Sequence, residues 1–312
     1  MIPLAEIEAA RERIAGAAVR TPLLNLPDTD IWLKLENLQP VASFKIRGAT
    51  NAIRAALPEE LAGGVVTASA GNMAQGVAWA AREAGVPATI ICPDHAPQAK
   101  LDRIERLGGR VIQVPWDEWW QVIVDSRYEG VDGLFVHPVQ DERVMAGNGT
   151  IGLELVEDLP ELETVLVPYG GGGLSTGIAS AVKQLKPGVR VYAVDPETGP
   201  SASAAFEAGE PIACDHRPSF VDGSGGKGVL ESMWPYVQEA LDGAYVVSLE
   251  ETAAALRLLA EQMRVVAEGA GALALAAALS GRVDGGTTVA VVSGGNIDTT
   301  VLTRILAGEM PT

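Results

Sequence analysis

Basic residues, aromatic side chains and cysteines are all scarce in this sequence of 312 residues. Lys and Arg number 23 against 40 Asp and Glu, and the net charge at pH 7 is -17. Such an excess of negative charge repels phosphate backbones and anionic lipid surfaces. The longest apolar stretches, such as Gly269–Leu279, are shorter than the roughly 18 residues of a membrane-spanning helix. We therefore expect neither nucleic acid nor a membrane as a partner.

The two cysteines, Cys92 and Cys214, lie far apart in the sequence. Their positions do not have the spacing of metal ligands, and the first residues do not form the pattern of a secretory signal peptide. We expect free thiols in a reducing, cytoplasmic setting. With 47% hydrophobic residues, a chain of this length buries one large core or two modest ones.

Short β-branched runs alternate with helical patterns along most of the chain. Strands are predicted at 65–68, 88–92, 110–114, 134–137, 164–168, 190–194 and 288–292, and helices at 73–84, 98–107, 118–128, 174–185, 250–263 and 269–279. Because the strands are continuous apolar runs bounded by helices, they predict two open, mostly parallel α/β units. Residues 211–228, rich in Pro and Gly, interrupt this alternation and predict a loop near a site.

Lys45 lies in the segment Ser-Phe-Lys-Ile-Arg-Gly that opens a helical pattern at residue 43. A lysine that reacts with a carbonyl group must first lose its proton. An aromatic neighbour and the N-terminus of a helix both lower the lysine pKa, which favours that loss. Taken alone, the segment fits an ordinary solvated lysine at a helix start equally well.

Two loops join a predicted strand to a predicted helix and offer backbone N–H groups to an anion. Residues 69–73, Ser-Ala-Gly-Asn-Met, can hold a carboxylate at the head of a helix, although a plain capped turn has the same pattern. Residues 170–173 are consecutive glycines, which suit close approach of the backbone to a phosphate. The contiguous glycines match a dinucleotide fingerprint poorly, so a monophosphate is the better interpretation, with a flexible turn as the alternative.

Ser293 ends the apolar strand predicted at 288–292. Open α/β sheets place ligand contacts at the carboxyl ends of their strands, where the Ser293 hydroxyl can reach a ring nitrogen. A strand-ending turn without a ligand is the alternative interpretation.

Together, in this order and at these separations, the four segments resemble the fold-type II pyridoxal-phosphate enzymes, and within them the serine/threonine dehydratase and serine racemase branch. Further segments that match the family pattern lie at residues 21–23, 34–37, 39–40 and 146–150. The resemblance implies two open, mostly parallel α/β domains with the cofactor in the cleft between them. The larger domain is expected at residues 1–60 and 142–312 and the smaller at 61–141, and a homodimer is expected.

The resemblance also implies a role for individual residues. Lys45 is expected to be catalytic and to carry pyridoxal 5'-phosphate as a Schiff base. The other expected cofactor contacts are Phe44, Asn72, Gly170, Gly171, Gly172, Gly173, Leu174 and Ser293, and the expected substrate contacts are Ser69, Ala70, Gly71, Asn72 and Met73. The implied reaction converts a 3-hydroxy amino acid of the threonine or serine type to a 2-oxo acid and ammonia. Another β-elimination or replacement lyase, or a racemase with side elimination activity, stays open as an alternative.

Three positions depart from the family pattern. Racemases of the family carry a second serine where this chain has Ala70, which has no proton to give, and Met73 stands where the family usually has histidine. Many relatives bind a divalent cation through two acidic side chains. Here Asp195 fits the first of those positions and Ser201 stands at the second. The identity of any cation at Asp195, divalent or monovalent, is left open.

The resemblance places Met73, Val139, Trp119 and Trp120 around the Cβ end of the substrate. Apolar side chains in these positions favour a substrate with a larger apolar Cβ substituent, at about 0.8 kcal/mol per buried methylene. The alternative is that Trp119 and Trp120 only pack a helix onto the smaller sheet.

Overall fold

The structure is a computed structural model that describes residues 1–311, in which helices and strands alternate along the chain. The helices are α1 (Leu4–Ile14), α2 (Lys45–Arg54), α3 (Asn72–Ala84), α4 (Gln98–Arg106), α5 (Trp116–Asp125), α6 (Glu142–Asp158), α7 (Gly173–Leu185), α8 (Ser201–Ala208), α9 (Trp234–Ala240), α10 (Leu249–Glu261), α11 (Gly269–Leu279) and α12 (Thr299–Leu306). The strands are β1 (Leu23–Asn25), β2 (Ile31–Leu35), β3 (Val65–Ala68), β4 (Ala88–Pro93), β5 (Gly109–Val114), β6 (Leu134–Phe135), β7 (Thr164–Pro168), β8 (Arg190–Pro196), β9 (Gly243–Val247) and β10 (Thr288–Val292). Within residues 1–311, none of these helices combines the length and the apolar character needed to cross a membrane.

The larger sheet has the spatial order β1-β2-β10-β7-β8-β9. Its strand pairs are parallel, except that β1 pairs antiparallel with β2 at one edge. Every residue of β7 and β10 is buried, as expected for strands that helices cover on both faces. Because β10 lies between β2 and β7, the next residue, Ser293, comes beside the carboxyl ends of strands that are distant in sequence.

The smaller sheet has the order β5-β4-β3-β6, and its strand pairs are parallel. Ala68 at the end of β3 pairs with Ile91 of β4, so the loop that follows β3 lies beside the end of β4. The prediction of two mostly parallel α/β units is confirmed. Residues 211–228 form neither helix nor strand, as predicted.

Helix α2, which begins at Lys45, packs against α3 and α6. Its residues Ala49, Ala52 and Ile53 share one buried cluster with side chains of α3 and of the smaller sheet. The contact with α3 passes through Gly76, where a Cβ atom would lie 3.1 Å from the carbonyl oxygen of Lys45. A glycine at position 76 therefore sets how closely α3 approaches the start of α2.

A buried ionic network holds α2 to β2 and α6. Arg47 contacts the carboxylates of Glu36 at 2.8 Å and Glu154 at 2.6 Å, and Lys34 contacts Glu154 at 2.5 Å. Burial opposes the ionisation of Glu36, but the charges of Arg47 and Lys34 outweigh it and hold the pKa of Glu36 below its ordinary value. The network consequently fixes the backbone two residues after Lys45.

Candidate active site

A cleft of about 510 Å³ is lined by residues that follow the carboxyl ends of strands in both sheets. Open α/β sheets place their ligands at such ends, and small-molecule sites typically have roughly 300–1,000 Å³. The cleft brings together the residues predicted to contact cofactor or substrate: Phe44, Lys45, Ser69, Ala70, Gly71, Asn72, Met73, Gly170, Gly171, Gly172, Gly173, Leu174 and Ser293.

Lys45 is partly buried at the first position of α2. Its Nζ donates a hydrogen bond to the carbonyl oxygen of Pro138 at 3.1 Å and lies 5.0 Å from the centroid of the Phe44 ring. Burial lowers the pKa of Lys45 to about 8, although the Glu268 carboxylate acts in the opposite direction. A lysine with this pKa can lose its proton near neutral pH, which is what reaction with a carbonyl group requires.

His137 fixes the turn that carries the Pro138 carbonyl. Burial lowers the pKa of His137 to about 4, so its imidazole is neutral near pH 7. The Nδ1 atom therefore accepts hydrogen bonds from the backbone N–H groups of Val139 at 3.1 Å and Gln140 at 3.0 Å. The sequence pattern does not indicate this role, because His137 is there only the last residue of a predicted strand.

The glycine loop joins β7 to α7 and has the shape of an anion cradle. Gly172 precedes the first helical residue and has φ +95°, a conformation that side-chain-bearing residues rarely adopt. A Cβ atom on Gly171 would collide with the Val139 side chain. The first N–H groups of α7 lack partners within the helix, and its dipole favours negative charge there. The loop therefore fits the phosphate group of a monophosphate ligand.

The loop at residues 69–73 leads from β3 into α3 on the opposite side of the cleft. The Ser69 hydroxyl accepts a hydrogen bond from the Gly71 N–H at 3.1 Å, which holds the turn. The Ser69 N–H donates to the carbonyl oxygen of Ile91 at 3.0 Å and ties the turn to β4. The N-terminal N–H groups of α3 are thereby presented to the cleft, where a carboxylate of the ligand fits.

Glu268 is a cleft residue that the sequence analysis missed. It is 5% exposed, and its Oε1 accepts a hydrogen bond from Asn72 Nδ2 at 2.7 Å. Burial, together with the Asp222 carboxylate, raises the pKa of Glu268 to about 7, against the hydrogen bond from Asn72. No local pattern distinguishes Glu268, because the helix dipole favours an acidic residue directly before a helix whether or not that residue faces a cleft.

Hydrogen bonds connect this carboxylate to the surface of the smaller sheet's helices. Asn72 Oδ1 accepts from Asn296 Nδ2 at 2.7 Å, and Asn296 Oδ1 accepts from the Arg103 guanidinium at 2.7 Å. Arg103 lies on α4 and Asn296 follows β10. The series of hydrogen bonds therefore joins an element beside the smaller sheet to a strand end of the larger sheet. Asn72, an expected contact of both the cofactor and the substrate, is thus already bonded to Glu268 and Asn296.

Asp195, the expected cation ligand, is buried at the end of β8. Its Oδ2 accepts a hydrogen bond from the Ser203 N–H at 2.8 Å, and burial raises the pKa of Asp195 to about 7. Its Oδ1 has no hydrogen-bond partner in the part of the chain that the structure describes, and the hydroxyl oxygens of Ser201 and Ser203 are also buried there without a partner. Within residues 1–311, no three His, Cys, Asp or Glu side chains are grouped to hold a metal ion. Hard divalent cations take several oxygen ligands, usually with more than one carboxylate, and Asp195 stays the expected ligand of a cation whose identity is open.

The apolar residues expected near the substrate separate into two groups. Met73, Val139 and Trp119 line the cleft, whereas Trp120 is 46% exposed and lies outside the lining. The placement of Trp120 beside the substrate was therefore wrong. Trp116, three residues before Trp119, lines the cleft instead, because residues three apart share one face of a helix.

Comparisons of the sequence with known proteins match this chain to a family of pyridoxal-phosphate-dependent enzymes. The family model described as "Pyridoxal-phosphate dependent enzyme" matches residues 14–294. L-threonine ammonia-lyase from Thermotoga maritima is 42% identical over 315 residues, an alignment that covers 98% of this chain and 78% of that protein. Serine racemase from Oryza sativa subsp. japonica is 35% identical over 317 residues, covering 95% of this chain and 91% of that protein.

Solved structures agree with the sequence comparisons. Maize serine racemase superposes with a TM-score of 0.90 at 32% identity, covering 98% of this chain and 97% of that one. The processed form of threonine deaminase isoform 2 from Solanum lycopersicum superposes with a TM-score of 0.88 at 32% identity, covering 98% and 92%. The expected fold class is confirmed by these likenesses.

Proposed function

The chain belongs to the pyridoxal-phosphate-dependent enzyme family, and from this premise we propose that it converts a 3-hydroxy amino acid of the threonine or serine type to a 2-oxo acid and ammonia. The observation that carries the proposal is the position of Lys45. Its Nζ lies in a cleft that is also lined by two helix N-termini, the glycine loop before α7 and the loop at residues 69–73 before α3. A phosphate and a carboxylate are thus both accommodated around one reactive amine.

The residues present fit pyridoxal 5'-phosphate as the cofactor. Lys45 would hold its aldehyde carbon, Gly170–Leu174 its phosphate, Asn72 its ring hydroxyl and Ser293 its ring nitrogen, with Phe44 beside the ring. The left-handed Gly172 at the N-terminus of α7 supports the phosphate assignment. When bound, the cofactor supplies an electron sink for negative charge that develops at Cα of the substrate.

Lys45 Nζ is proposed to take the proton from Cα. Its lowered pKa supports this role, because a general base works best when its pKa lies near the operating pH. The Pro138 carbonyl, fixed by His137, restrains the direction in which Nζ points. The substrate carboxylate at residues 69–73 then orients Cα toward Lys45.

Elimination is favoured over racemisation by the side chain at position 70. Racemisation needs an acid on the face opposite Lys45, and the methyl group of Ala70 has no proton to donate. Racemase activity is therefore the second candidate, supported by the likeness to serine racemases. Loss of the Cβ hydroxyl requires no such acid at Ala70.

We further propose the domain division expected from the sequence. All strands of the larger sheet fall in residues 1–60 and 142–312, and all strands of the smaller sheet fall in 61–141, which supports this domain division.

A homodimer is proposed from the family resemblance. A cytoplasmic location is supported by Cys92 and Cys214, which are free thiols.

The function is tested with cofactor-loaded protein and a panel of 3-hydroxy amino acids. Ammonia and 2-oxo acid should appear in equal amounts from at least one member, and Lys45→Ala should release neither. Release of the opposite enantiomer without 2-oxo acid would favour the racemase instead. Absence of both reactions across the panel, in protein with a full complement of cofactor, would refute the proposal.

A further inference from the structure

A group of neighbouring aromatic rings forms one wall of the cleft. The ring centroids of Trp116 and Trp119 are 4.8 Å apart, and those of His95 and Trp116 are 5.5 Å apart. All three side chains line the cleft. We call this group the aromatic wall.

Trp119 is the fixed member of the aromatic wall. Its indole Nε1 donates to the carbonyl oxygen of Ile91 at 3.2 Å, and its ring packs beside the buried Ile91 and Val122. Trp116, by contrast, is 45% exposed. A ligand that binds in the cleft against Trp116 would bury the exposed apolar surface of its ring, and such burial is favourable.

One carbonyl joins the aromatic wall to the loop proposed to bind the substrate carboxylate. The Ile91 oxygen accepts both the Trp119 Nε1 hydrogen bond and the Ser69 N–H hydrogen bond. Trp119 and Ser69 are thus bonded to one and the same carbonyl oxygen. A substrate whose carboxylate lies at residues 69–73 is therefore next to the wall.

The charges near the wall favour an uncharged substituent. Lys100, which also lines the cleft, is held by Asp222 at 2.6 Å, and His95 lies 3.3 Å from Asp94. An acidic substituent would have to compete with Asp222 for Lys100. Met73 and Val139 add apolar surface, so the chemistry of this part of the cleft matches an aromatic ring.

We propose that Trp116 determines specificity for an aromatic substituent on Cβ, so that 3-aryl-serines are preferred substrates of this chain. The inference rests on the proposed function, since it uses the carboxylate and Cα positions assigned there. Trp116 acts by stacking on the aryl group while Trp119 holds it in place. Dehydration of a 3-aryl-serine loses the same Cβ hydroxyl as dehydration of threonine and yields an aryl-substituted 2-oxo acid.

The test compares kcat/KM for 3-phenylserine and L-threonine in the natural protein and three variants. Trp116→Ala should lower kcat/KM for 3-phenylserine by about fivefold to tenfold, the size of one aromatic contact, and leave that for L-threonine nearly unchanged. Trp116→Phe should keep most of the preference because it retains a ring. Trp120→Ala is the matched control, since Trp120 is equally exposed on the same helix but outside the cleft lining. An equal loss for both substrates in Trp116→Ala would overturn the inference.

A binding measurement separates this inference from the proposed function. L-phenylalanine and L-alanine lack the Cβ hydroxyl and differ by a phenyl group, so calorimetry compares their affinities for cofactor-loaded protein without turnover. Trp116→Ala should reduce the advantage of L-phenylalanine over L-alanine. If that advantage depends on Trp116 while no 3-hydroxy amino acid is consumed, the proposed function fails and the aromatic site stands. If L-threonine is consumed and the advantage does not depend on Trp116, the inference fails and the function stands.

Discussion

The Glu268 carboxylate raises the pKa of Lys45, whereas burial lowers it more strongly, and the pKa lies at about 8. Glu268 is itself held by Asn72 at 2.7 Å and has a pKa of about 7. The reactive amine and the carboxyl group therefore change protonation within a narrow range of pH. Lys45 becomes neutral as the pH rises through its pKa, whereas Glu268 becomes charged.

The first prediction follows from this coupling. The rate at which apo protein captures pyridoxal 5'-phosphate should rise with pH through about 8, because only the neutral amine of Lys45 attacks an aldehyde. In Glu268→Gln the charge that favours the protonated lysine is gone, so the rise should occur at lower pH. Stopped-flow absorbance measures both profiles, with the exposed Glu210→Gln as control. A midpoint near the ordinary lysine value of 10.5 would contradict the assigned environment.

The second prediction concerns the covalent attachment site. Borohydride treatment of the yellow, cofactor-loaded protein should fix the cofactor on a peptide that contains Lys45, as read by mass spectrometry. Lys45→Ala should lose this label and all turnover. Lys100→Ala, another lysine that lines the cleft, should keep the label. A label on any other lysine would show that the site is wrongly assigned.

A third prediction uses the methyl group at position 70. Ala70→Ser places a hydroxyl on the proposed face opposite Lys45, so the ratio of racemisation to elimination should rise. Chiral chromatography of the amino acid and an assay of the 2-oxo acid give that ratio. An unchanged ratio in a folded, cofactor-loaded variant would mean that Ala70 does not face Cα.

The fourth prediction addresses the cation. Because Ser201 stands where many relatives carry a second acidic ligand, EDTA should lower kcat/KM of the natural protein less than it lowers that of a family member with two acidic ligands. Ser201→Asp restores a second carboxylate, and magnesium should then raise the Tm of this variant more than that of the natural protein. Full inactivation of the natural protein by EDTA, reversed by magnesium or calcium, would show that a divalent site exists.

The fifth prediction concerns the buried ionic network. Arg47→Met leaves Glu36 and Glu154 without their shared partner, which should cost about 3–5 kcal/mol of unfolding free energy. Arg20→Met breaks ion pairs between exposed side chains and should cost under about 1 kcal/mol. Urea denaturation measures both variants at one pH. Equal losses would mean that the two sites are similarly solvated.

The sequence was sufficient to predict elements whose periodicity is strong. The apolar strands 164–168 and 288–292 coincide with β7 and β10, because strands buried on both faces carry an unbroken apolar pattern. Helix α6 was not predicted, since Gly147 and Gly149 lower helix propensity and are explained only by close packing. A Cβ on Gly149 would lie 2.9 Å from the Gly177 carbonyl oxygen, an approach that a single chain segment does not reveal.

The candidate site, too, could be predicted only where a single segment of the sequence carries its own signal. The loops were found because each carries its own local signal, glycines or a helix start after a strand. Glu268 and Asn72 are far apart in sequence, and their contact depends on how α3 and α11 are placed by the two sheets. The helix predicted at 118–128 begins at Trp116 in the structure. The first residue of α5 decides which tryptophans face the cleft. A hydrophobic pattern fixes the first residue of a helix less well than it fixes the presence of the helix.

Arg103 lies on the surface of α4, yet hydrogen bonds through Asn296 and Asn72 connect it to the buried Glu268. Substitution of an exposed side chain usually changes stability by less than about 0.5 kcal/mol. Here the loss of Arg103 would remove one partner of Asn296, which would stay bonded to the Val41 carbonyl oxygen and to Asn72. A substitution at position 103 would therefore alter the hydrogen bonds behind Glu268 without changing any residue that lines the cleft.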